Sequence, residues 1–119
     1  MAVTMEIFRN ETDAKRFAPG ETVFREGESG EVMYVVLEGE VEARIRGTLV
    51  ETIGPGGIVG EMALIDGAPR VATVTAKTDT KLASIGEKRF LFLVEQTPRF
   101  SLQIMRLVVD RVRRTVERL

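Results

Sequence analysis

The chain has 119 residues, of which 44% are hydrophobic and 29% charged, and its formal net charge is −1. This length predicts one domain over residues 1–119, and the balanced charge gives no electrostatic reason to expect binding to nucleic acid or to a membrane. Because the sequence contains neither cysteine nor histidine, it excludes disulfides, thiolate metal sites and the commonest general base of enzymes.

The first 17 residues predict a short N-terminal helix or turn. Val3, Ile7 and Phe8 recur at helical spacing, and Pro19 and Gly20 then break the chain. This segment lacks the long apolar run of a signal peptide, and no stretch of the chain approaches the roughly 20 apolar residues of a membrane span. These features predict a cytoplasmic protein that does not insert into membranes.

Residues 20–86 have the pattern of β-strands. Residues 32–37 (VMYVVL) form a continuous apolar run, which predicts a strand buried on both faces, whereas residues 40–45 (EVEARI) alternate strictly. Further short strands are predicted at residues 49–53, 71–76 and 81–85. Glycines separate these segments at nearly regular spacing, which is typical of an all-β sandwich or jelly roll. The predicted fold class is mainly β with flanking helices: a β-roll with a short N-terminal helix and two C-terminal helices.

Residues 87–118 are predicted to form those two C-terminal helices. The first contains the segment KRFLFLVEQ, which places Phe90, Leu93 and Val94 on one face, and Pro98 suits the start of the second. The second helix carries six arginines and two acids. Its predicted apolar stripe consists of Met105, Val108 or Val109, Val112, Val116 and Leu119.

The stretch GEMALIDGAPRVATV, residues 60–74, places one glutamate and one arginine on either side of a tight turn. Residues 61–65 are helix formers, so they predict a single helical turn whose first N–H groups are unpaired and bind anions such as phosphate. Gly60 would let the backbone approach a ligand closely. Arg70 offers a planar fork for two phosphate oxygens, and Glu61 can accept a hydrogen bond from a sugar hydroxyl. Together these groups predict a ribose-phosphate site.

This stretch resembles the phosphate-binding cassette of the cyclic nucleotide-binding domain family. That family includes protein kinase A regulatory subunits, catabolite-activator-type bacterial regulators and nucleotide-gated channels. The likeness extends to residues 24–45 (FREGESGEVMYVVLEGEVEARI), which are similar to the family's first hairpins, with Gly27 and Gly39 at the expected turns. It covers roughly residues 17–119 and implies a regulatory module that binds a cyclic nucleotide and needs no other cofactor.

The resemblance implies a role for each residue of the cassette. Glu61 would accept the ribose 2′-hydroxyl, Arg70 would pair with the cyclic phosphate, and Gly60 would permit close approach. Further backbone N–H donors would come from Met62 and Ala63 before the turn and from Ala72 after it.

Val71 departs from the family pattern, in which a small residue, serine or threonine usually follows the arginine. Its N–H remains available to the ligand, but its branched side chain offers no hydroxyl and could crowd the phosphate. A hydroxyl at this position tends to help cGMP in the family. Its absence favours cAMP as the ligand, with cGMP as the alternative.

Taken singly, the two charged residues have simpler explanations. Glu61 could be only an acid at a helix start, where the helix dipole favours it by a few tenths of a kcal/mol. Arg70 could be only the partner of Glu61 or Asp66 in a surface ion pair worth about 0–1 kcal/mol. Their occurrence together at the cassette spacing favours the binding site.

The last helix has three interpretations that the residues alone leave open. It could pack on its own roll, close as a lid over the purine, or dimerise in parallel with a second copy. The resemblance favours a lid with some role in dimerisation, and residues 98–119 are also the candidate surface for an effector protein. Direct nucleic-acid binding through its arginines is not expected, because no recognition helix follows.

Two functions remain in competition, and a third is disfavoured. The first is a cyclic nucleotide receptor that signals by repositioning its C-terminal helix. The second is an interaction or dimerisation module that keeps the fold but ignores nucleotides. An enzyme such as a phosphodiesterase would need a carboxylate-only metal site, and no paired carboxylates have that spacing. The sequence therefore predicts a receptor with no catalytic and no metal-binding residue.

Overall fold

The computed structural model describes residues 2–3 and 5–119 and consists mostly of β-structure with flanking helices. A 3₁₀ helix, Met5–Phe8, comes before the first strand. The strands are β1 (Lys15–Phe17), β2 (Thr22–Phe24), β3 (Met33–Glu38), β4 (Val41–Ile45), β5 (Thr48–Ile53), β6 (Ile58–Val59), β7 (Thr73–Ala76) and β8 (Thr80–Ile85). The helices are α1 (Glu61–Asp66), α2 (Glu87–Gln96) and α3 (Arg99–Glu117).

The strands form two four-stranded antiparallel sheets. One has the order β1-β8-β3-β6, and the other has the order β2-β7-β4-β5, which leaves β5 at an edge. Apolar side chains from both sheets pack in one cluster between them, including Tyr34 and Val36 from the first sheet and Val41 and Val74 from the second. The predicted β-roll is confirmed by this arrangement.

Strand β3 is buried on both faces, as its continuous apolar run predicts. Tyr34 and Val36 point into the cluster between the sheets. Met33 and Val35 point the other way, into a second cluster where the helices cover the first sheet. Because successive side chains of a strand alternate in direction, a strand that lies between two cores has an apolar residue at every buried position.

The predicted strands are present, but their number and bounds differ. Strands β1, β2 and β6 have only two or three residues each, too few for a periodic pattern to be recognised. The strand predicted from Val71 begins at Thr73. The backbone of Arg70 pairs instead with the loop after β2. Its N–H donates to the carbonyl oxygen of Glu28 at 2.9 Å, and its carbonyl oxygen accepts from the N–H of Gly27 at 2.8 Å.

The N-terminal segment packs on the helical side of the roll. Phe8 is buried in the cluster beneath the helices. Arg89 of α2 makes two hydrogen bonds with the carboxylate of Glu11, of 2.7 and 3.0 Å, and donates a third to the carbonyl oxygen of Ser84. The hydrogen bonds from Arg89 hold the pKa of Glu11 below its usual value. The predicted N-terminal helix is thus a single 3₁₀ turn, and residues 15–17 belong to the sheet.

Helix α3 buries a different face from the predicted apolar stripe. Phe100 and Ile104 enter the core beneath the helices, whereas most of the stripe is exposed. The exposed members are Met105, Val109, Val112, Val116 and Leu119. Within the described ranges, no helix combines the length and hydropathy that a membrane crossing requires.

Candidate functional site

Arg70 is a buried cation at the end of the turn that follows α1. Its exposed fraction is 6%, and its guanidinium carbon lies 4.2 Å from the ring centroid of Phe24. Among the described residues it donates one side-chain hydrogen bond, from Nη1 to the carbonyl oxygen of Gly60 at 3.2 Å, and forms no ion pair with a carboxylate. A buried charge without an opposite charge is costly, so this guanidinium is suited to receive an anion.

Two glycines make room for the Arg70 side chain. A Cβ atom on Gly60 would lie 2.5 Å from Nη1 of Arg70, and one on Gly30 would overlap its guanidinium. Gly60 also has φ 77°, a left-handed conformation that side chains disfavour. Both glycines are therefore required by the position of the arginine.

Glu61 begins helix α1, the single short helix predicted for this stretch. Gly60 precedes it with no side-chain capping hydrogen bond, and the helix ends at Asp66. The N–H of the following residue, Gly67, donates to the carbonyl oxygen of Ala63 at 2.9 Å. The carboxylate of Glu61 is 3% exposed and pairs with Arg111 of α3. The ion pairs of Arg70 with Glu61 or Asp66, considered from the sequence, are not formed in the described part of the chain.

One cavity of about 550 Å³ brings all the predicted site residues together. This volume lies within the usual range for small-molecule sites. Its other walls are mainly apolar side chains of the second sheet and residues of the C-terminal half of α3, which include Val112 and Val116. The predicted site residues that line it are Gly60, Glu61, Met62, Ala63, Arg70, Val71 and Ala72.

Arg111 spans two carboxylates at the edge of this cavity. Its Nε and Nη2 atoms donate to the two oxygens of Glu51 at 2.8 and 3.1 Å, and its Nη1 atom donates to Glu61. Nη2 also donates to the carbonyl oxygen of Ile58 at 2.9 Å. Arg114 adds a contact to Glu51 at 3.3 Å. Helix α3 is thus joined to the cavity wall by ion pairs.

The pKa values of these groups reflect this pairing. Burial alone would raise the pKa of Glu51, but the hydrogen bonds and charges of Arg111 and Arg114 outweigh it and lower that pKa. Burial would likewise lower the pKa of Arg111, but its hydrogen bonds to Glu51 and the charges of Glu61 and Glu51 raise it. Glu51 and Arg111 are therefore both charged near neutral pH.

Three features of the site were not predicted from the sequence: Glu51, Arg111 and the aromatic contact of Phe24. The spacing of the arginines could have indicated part of the site. Arg111, Arg114 and Arg118 follow each other by three and four residues, which places them on one helix face. Nothing in the sequence around Glu51 distinguishes it from the other acids of the strands.

The arrangement is suited to binding a small molecule. It offers a buried cation, one buried carboxylate that can accept a hydroxyl hydrogen, and apolar walls. Over residues 2–3 and 5–119, no three histidine, cysteine, aspartate or glutamate side chains are grouped so that they could hold a metal ion. The site fits a molecule that combines an anionic group, a hydroxyl and an apolar or aromatic part.

Comparisons with known proteins agree in one family. The family model described as "Cyclic nucleotide-binding domain" matches residues 14–97. The catabolite activator protein of Thermus thermophilus shares 24% identity and a TM-score of 0.78, covering 94% of this chain and 60% of that one, which shows a common fold. The N-terminal domain of a transcriptional regulator from Streptomyces coelicolor shares 32% identity and a TM-score of 0.68, covering 96% and 83%.

A third similar structure is PfPKA-R in a cAMP-bound form. It shares 26% identity with this chain and a TM-score of 0.73, and the match covers 85% of this chain but only 35% of that one. The chain therefore spans about a third of the PfPKA-R segment in that structure, residues 141–441, and 60% of the Thermus protein.

Proposed function

Because the chain belongs to the cyclic nucleotide-binding domain family, we propose that it is a receptor whose cavity binds cAMP, with cGMP as the weaker alternative. The cyclic phosphate lies on Arg70, the ribose 2′-hydroxyl donates to Glu61, and the purine lies against the apolar walls beneath α3. Residues 1–119 act as one binding unit, in the cytoplasm and without catalysis.

The burial of Arg70 is the observation that supports this proposal most. The guanidinium is almost fully buried at the wall of a cavity, and its neighbours supply a carbonyl oxygen and an aromatic ring but no carboxylate. A phosphate carries the opposite charge, and its paired oxygens match the planar fork of arginine. Binding a cyclic phosphate would neutralise a charge that the fold otherwise buries at a cost.

The preference for cAMP rests on Val71. Its side chain lines the cavity and is half-exposed, next to the position proposed for the phosphate. Valine provides no hydroxyl for a further hydrogen bond to the ligand. The amino group that distinguishes guanine therefore gains nothing from this residue.

The proposed signal is the position of α3. Its C-terminal half borders the cavity through Val108, Arg111 and Thr115. A nucleotide beneath the helix would contact it and favour the conformation in which it lies over the roll. Because a ligand shifts an equilibrium only by its differential affinity for the two states, those contacts determine the size of the response.

Isothermal titration of cAMP, cGMP and 5′-AMP tests the proposed function. A ligand of cAMP's size gains about 7 kcal/mol at ordinary ligand efficiency, which corresponds to a Kd of roughly ten micromolar. We expect cAMP to bind at least that tightly, cGMP more weakly, and the linear 5′-AMP most weakly. Absence of heat with cAMP and cGMP at millimolar concentration would instead indicate the nucleotide-insensitive interaction module.

A second candidate function is dimerisation through α3. Six exposed apolar residues recur at intervals of three and four, the spacing of a coiled-coil seam. At 100° per residue the centre of this row lies about 150° around the helix from Arg111, Arg114 and Arg118, so pairing would leave the arginine contacts to the roll intact. Two of the six, Val112 and Val116, also line the cavity. We call these six residues the α3 seam: Leu102, Met105, Val109, Val112, Val116 and Leu119.

We expect the protein to form dimers that Val109→Glu dissociates. The change places a charge at the middle of the seam, where it would have to be buried without a partner. Sedimentation equilibrium should give twice the monomer mass for the parent and the monomer mass for the variant. Leu91→Glu is the matched control, because Leu91 is an equally exposed apolar residue on α2. A parent that stays monomeric at every concentration would exclude the seam as a dimer interface.

A further inference from the structure

The outer strand of the second sheet supplies the acceptors that hold the C-terminal half of α3. On β5, the carboxylate of Glu51 accepts hydrogen bonds from Arg111 and Arg114, and the carbonyl oxygen of Val50 accepts one from Arg118 at 3.0 Å. The buried residues of α3, Phe100 and Ile104, both lie in its N-terminal half. Beyond Val108, which packs against the core beneath the helices, arginine contacts hold the part of the helix that borders the cavity.

The two carboxylates that pair with Arg111 accept hydrogen bonds from different nitrogen atoms of its guanidinium group. Glu51 accepts from Nε and Nη2, the two donors along one edge of the guanidinium. That bidentate contact fixes the plane of the group and leaves Nη1 directed at Glu61. Glu51, together with the carbonyl oxygen of Ile58, thus determines where the Nη1 donor of Arg111 points.

Glu61 therefore contacts α3 through Arg111, and it is also the residue proposed to accept the ribose hydroxyl of the nucleotide. Its contact with Arg111 uses Oε1, and a carboxylate has lone pairs for more than one donor. The cavity of about 550 Å³ is present with this contact in place, so closure of α3 and occupation of the cavity are compatible. A ribose hydroxyl and Arg111 can then share one carboxylate.

We propose that Glu51, outside the phosphate-binding cassette, is a positioning residue that directs Arg111 onto Glu61 and so holds α3 closed over the bound nucleotide. Its side chain lies at the edge of the cavity, and its proposed action is through Arg111. This inference rests on the proposed function for its effect on the ligand, but the contacts that hold α3 are made by this chain's own residues. Glu51 therefore controls how fast the nucleotide leaves more than how fast it enters.

The first test measures dissociation of cAMP labelled with a fluorophore on the purine, chased by unlabelled cAMP. Glu51→Gln keeps the size of the side chain but removes the charge and one of the two acceptors. We expect dissociation at least about tenfold faster, as for loss of hydrogen bonds between charged groups, with little change in association. Glu42→Gln is the matched control, because Glu42 pairs with Arg44 at 3.3 Å on β4 of the same sheet. An unchanged or slower dissociation rate in Glu51→Gln overturns the proposal.

A double-mutant cycle separates positioning from general stabilisation. If Glu51 acts mainly through Arg111, then Glu51→Gln should have a much smaller effect on dissociation in an Arg111→Gln background, where only the 3.3 Å contact of Glu51 with Arg114 remains. Additive effects of the two changes would overturn the proposed route through Arg111.

Hydrogen exchange of the α3 amides, residues 108–117, tests the hold on the helix without nucleotide. We expect Glu51→Gln to exchange faster than the parent there, and Glu42→Gln to match the parent. If the parent binds neither cAMP nor cGMP but Glu51→Gln still exchanges faster than the parent, the proposed function is refuted. The inference that Glu51 holds α3 would then stand by itself. Parental exchange in Glu51→Gln would overturn the inference even if the parent binds cAMP.

Discussion

Arg70→Leu is expected to weaken cAMP binding by about 2–5 kcal/mol, or about 30- to 5,000-fold. The leucine removes the cation while leaving the ligand's phosphate to be desolvated at the wall of the cavity. The loss should exceed that of an ordinary hydrogen bond, because Arg70 is 6% exposed and little water remains to replace it. Isothermal titration of the parent and the variant with cAMP measures the difference.

Two controls make the Arg70 result interpretable. Arg16→Leu removes an exposed arginine from β1 in the other sheet and should leave the Kd unchanged. The midpoint of thermal unfolding shows whether Arg70→Leu still folds, and we expect a small change because the arginine is itself a buried charge without a carboxylate. Equal cAMP affinity in Arg70→Leu and the parent would remove the phosphate site.

Phe100→Ala is expected to lower the free energy of unfolding by about 3–5 kcal/mol. Phe100 is fully buried at the start of α3, and its ring meets that of Phe90 edge to face with centroids 5.6 Å apart. Truncation would open a cavity where α2, α3 and the outer face of the first sheet meet. Urea unfolding monitored by circular dichroism measures the loss.

Leu102→Ala is the matched control in the same helix. Leu102 is exposed, so the change should alter the free energy of unfolding of the monomer by about 0.5 kcal/mol or less. Measurement at low protein concentration keeps any pairing through the α3 seam from contributing. Similar losses in Phe100→Ala and Leu102→Ala would show that α3 is not anchored by its N-terminal half.

The cassette could be predicted because its residues are neighbours in sequence. Glu61 and Arg70 lie nine positions apart, and the glycines and the short helical run between them indicate the turn that brings them to one cavity. Local conformational preferences are sufficient for such a site. The roles of these residues toward a nucleotide stay predictions until a ligand is measured.

The orientation of α3 shows what periodicity leaves open. The apolar repeat correctly predicts a helix, but both the seam and the pair Phe100 and Ile104 are apolar, and the repeat does not say which of them the core receives. Periodicity could not predict β1 either. Its three residues form a strand only because β8, more than 60 positions later in the chain, supplies the hydrogen-bonding partner.

The sequence by itself determined the strand-rich roll, the two C-terminal helices, the absence of histidine and cysteine chemistry and the residues of the cassette. These follow from composition and from preferences that act over a few neighbouring residues. Only the tertiary structure decided that Glu51 and Glu61 share Arg111, which lies 60 and 50 positions from them along the chain. A charge pattern shows which residues share a helix face, but the partner of that face depends on how the whole chain packs.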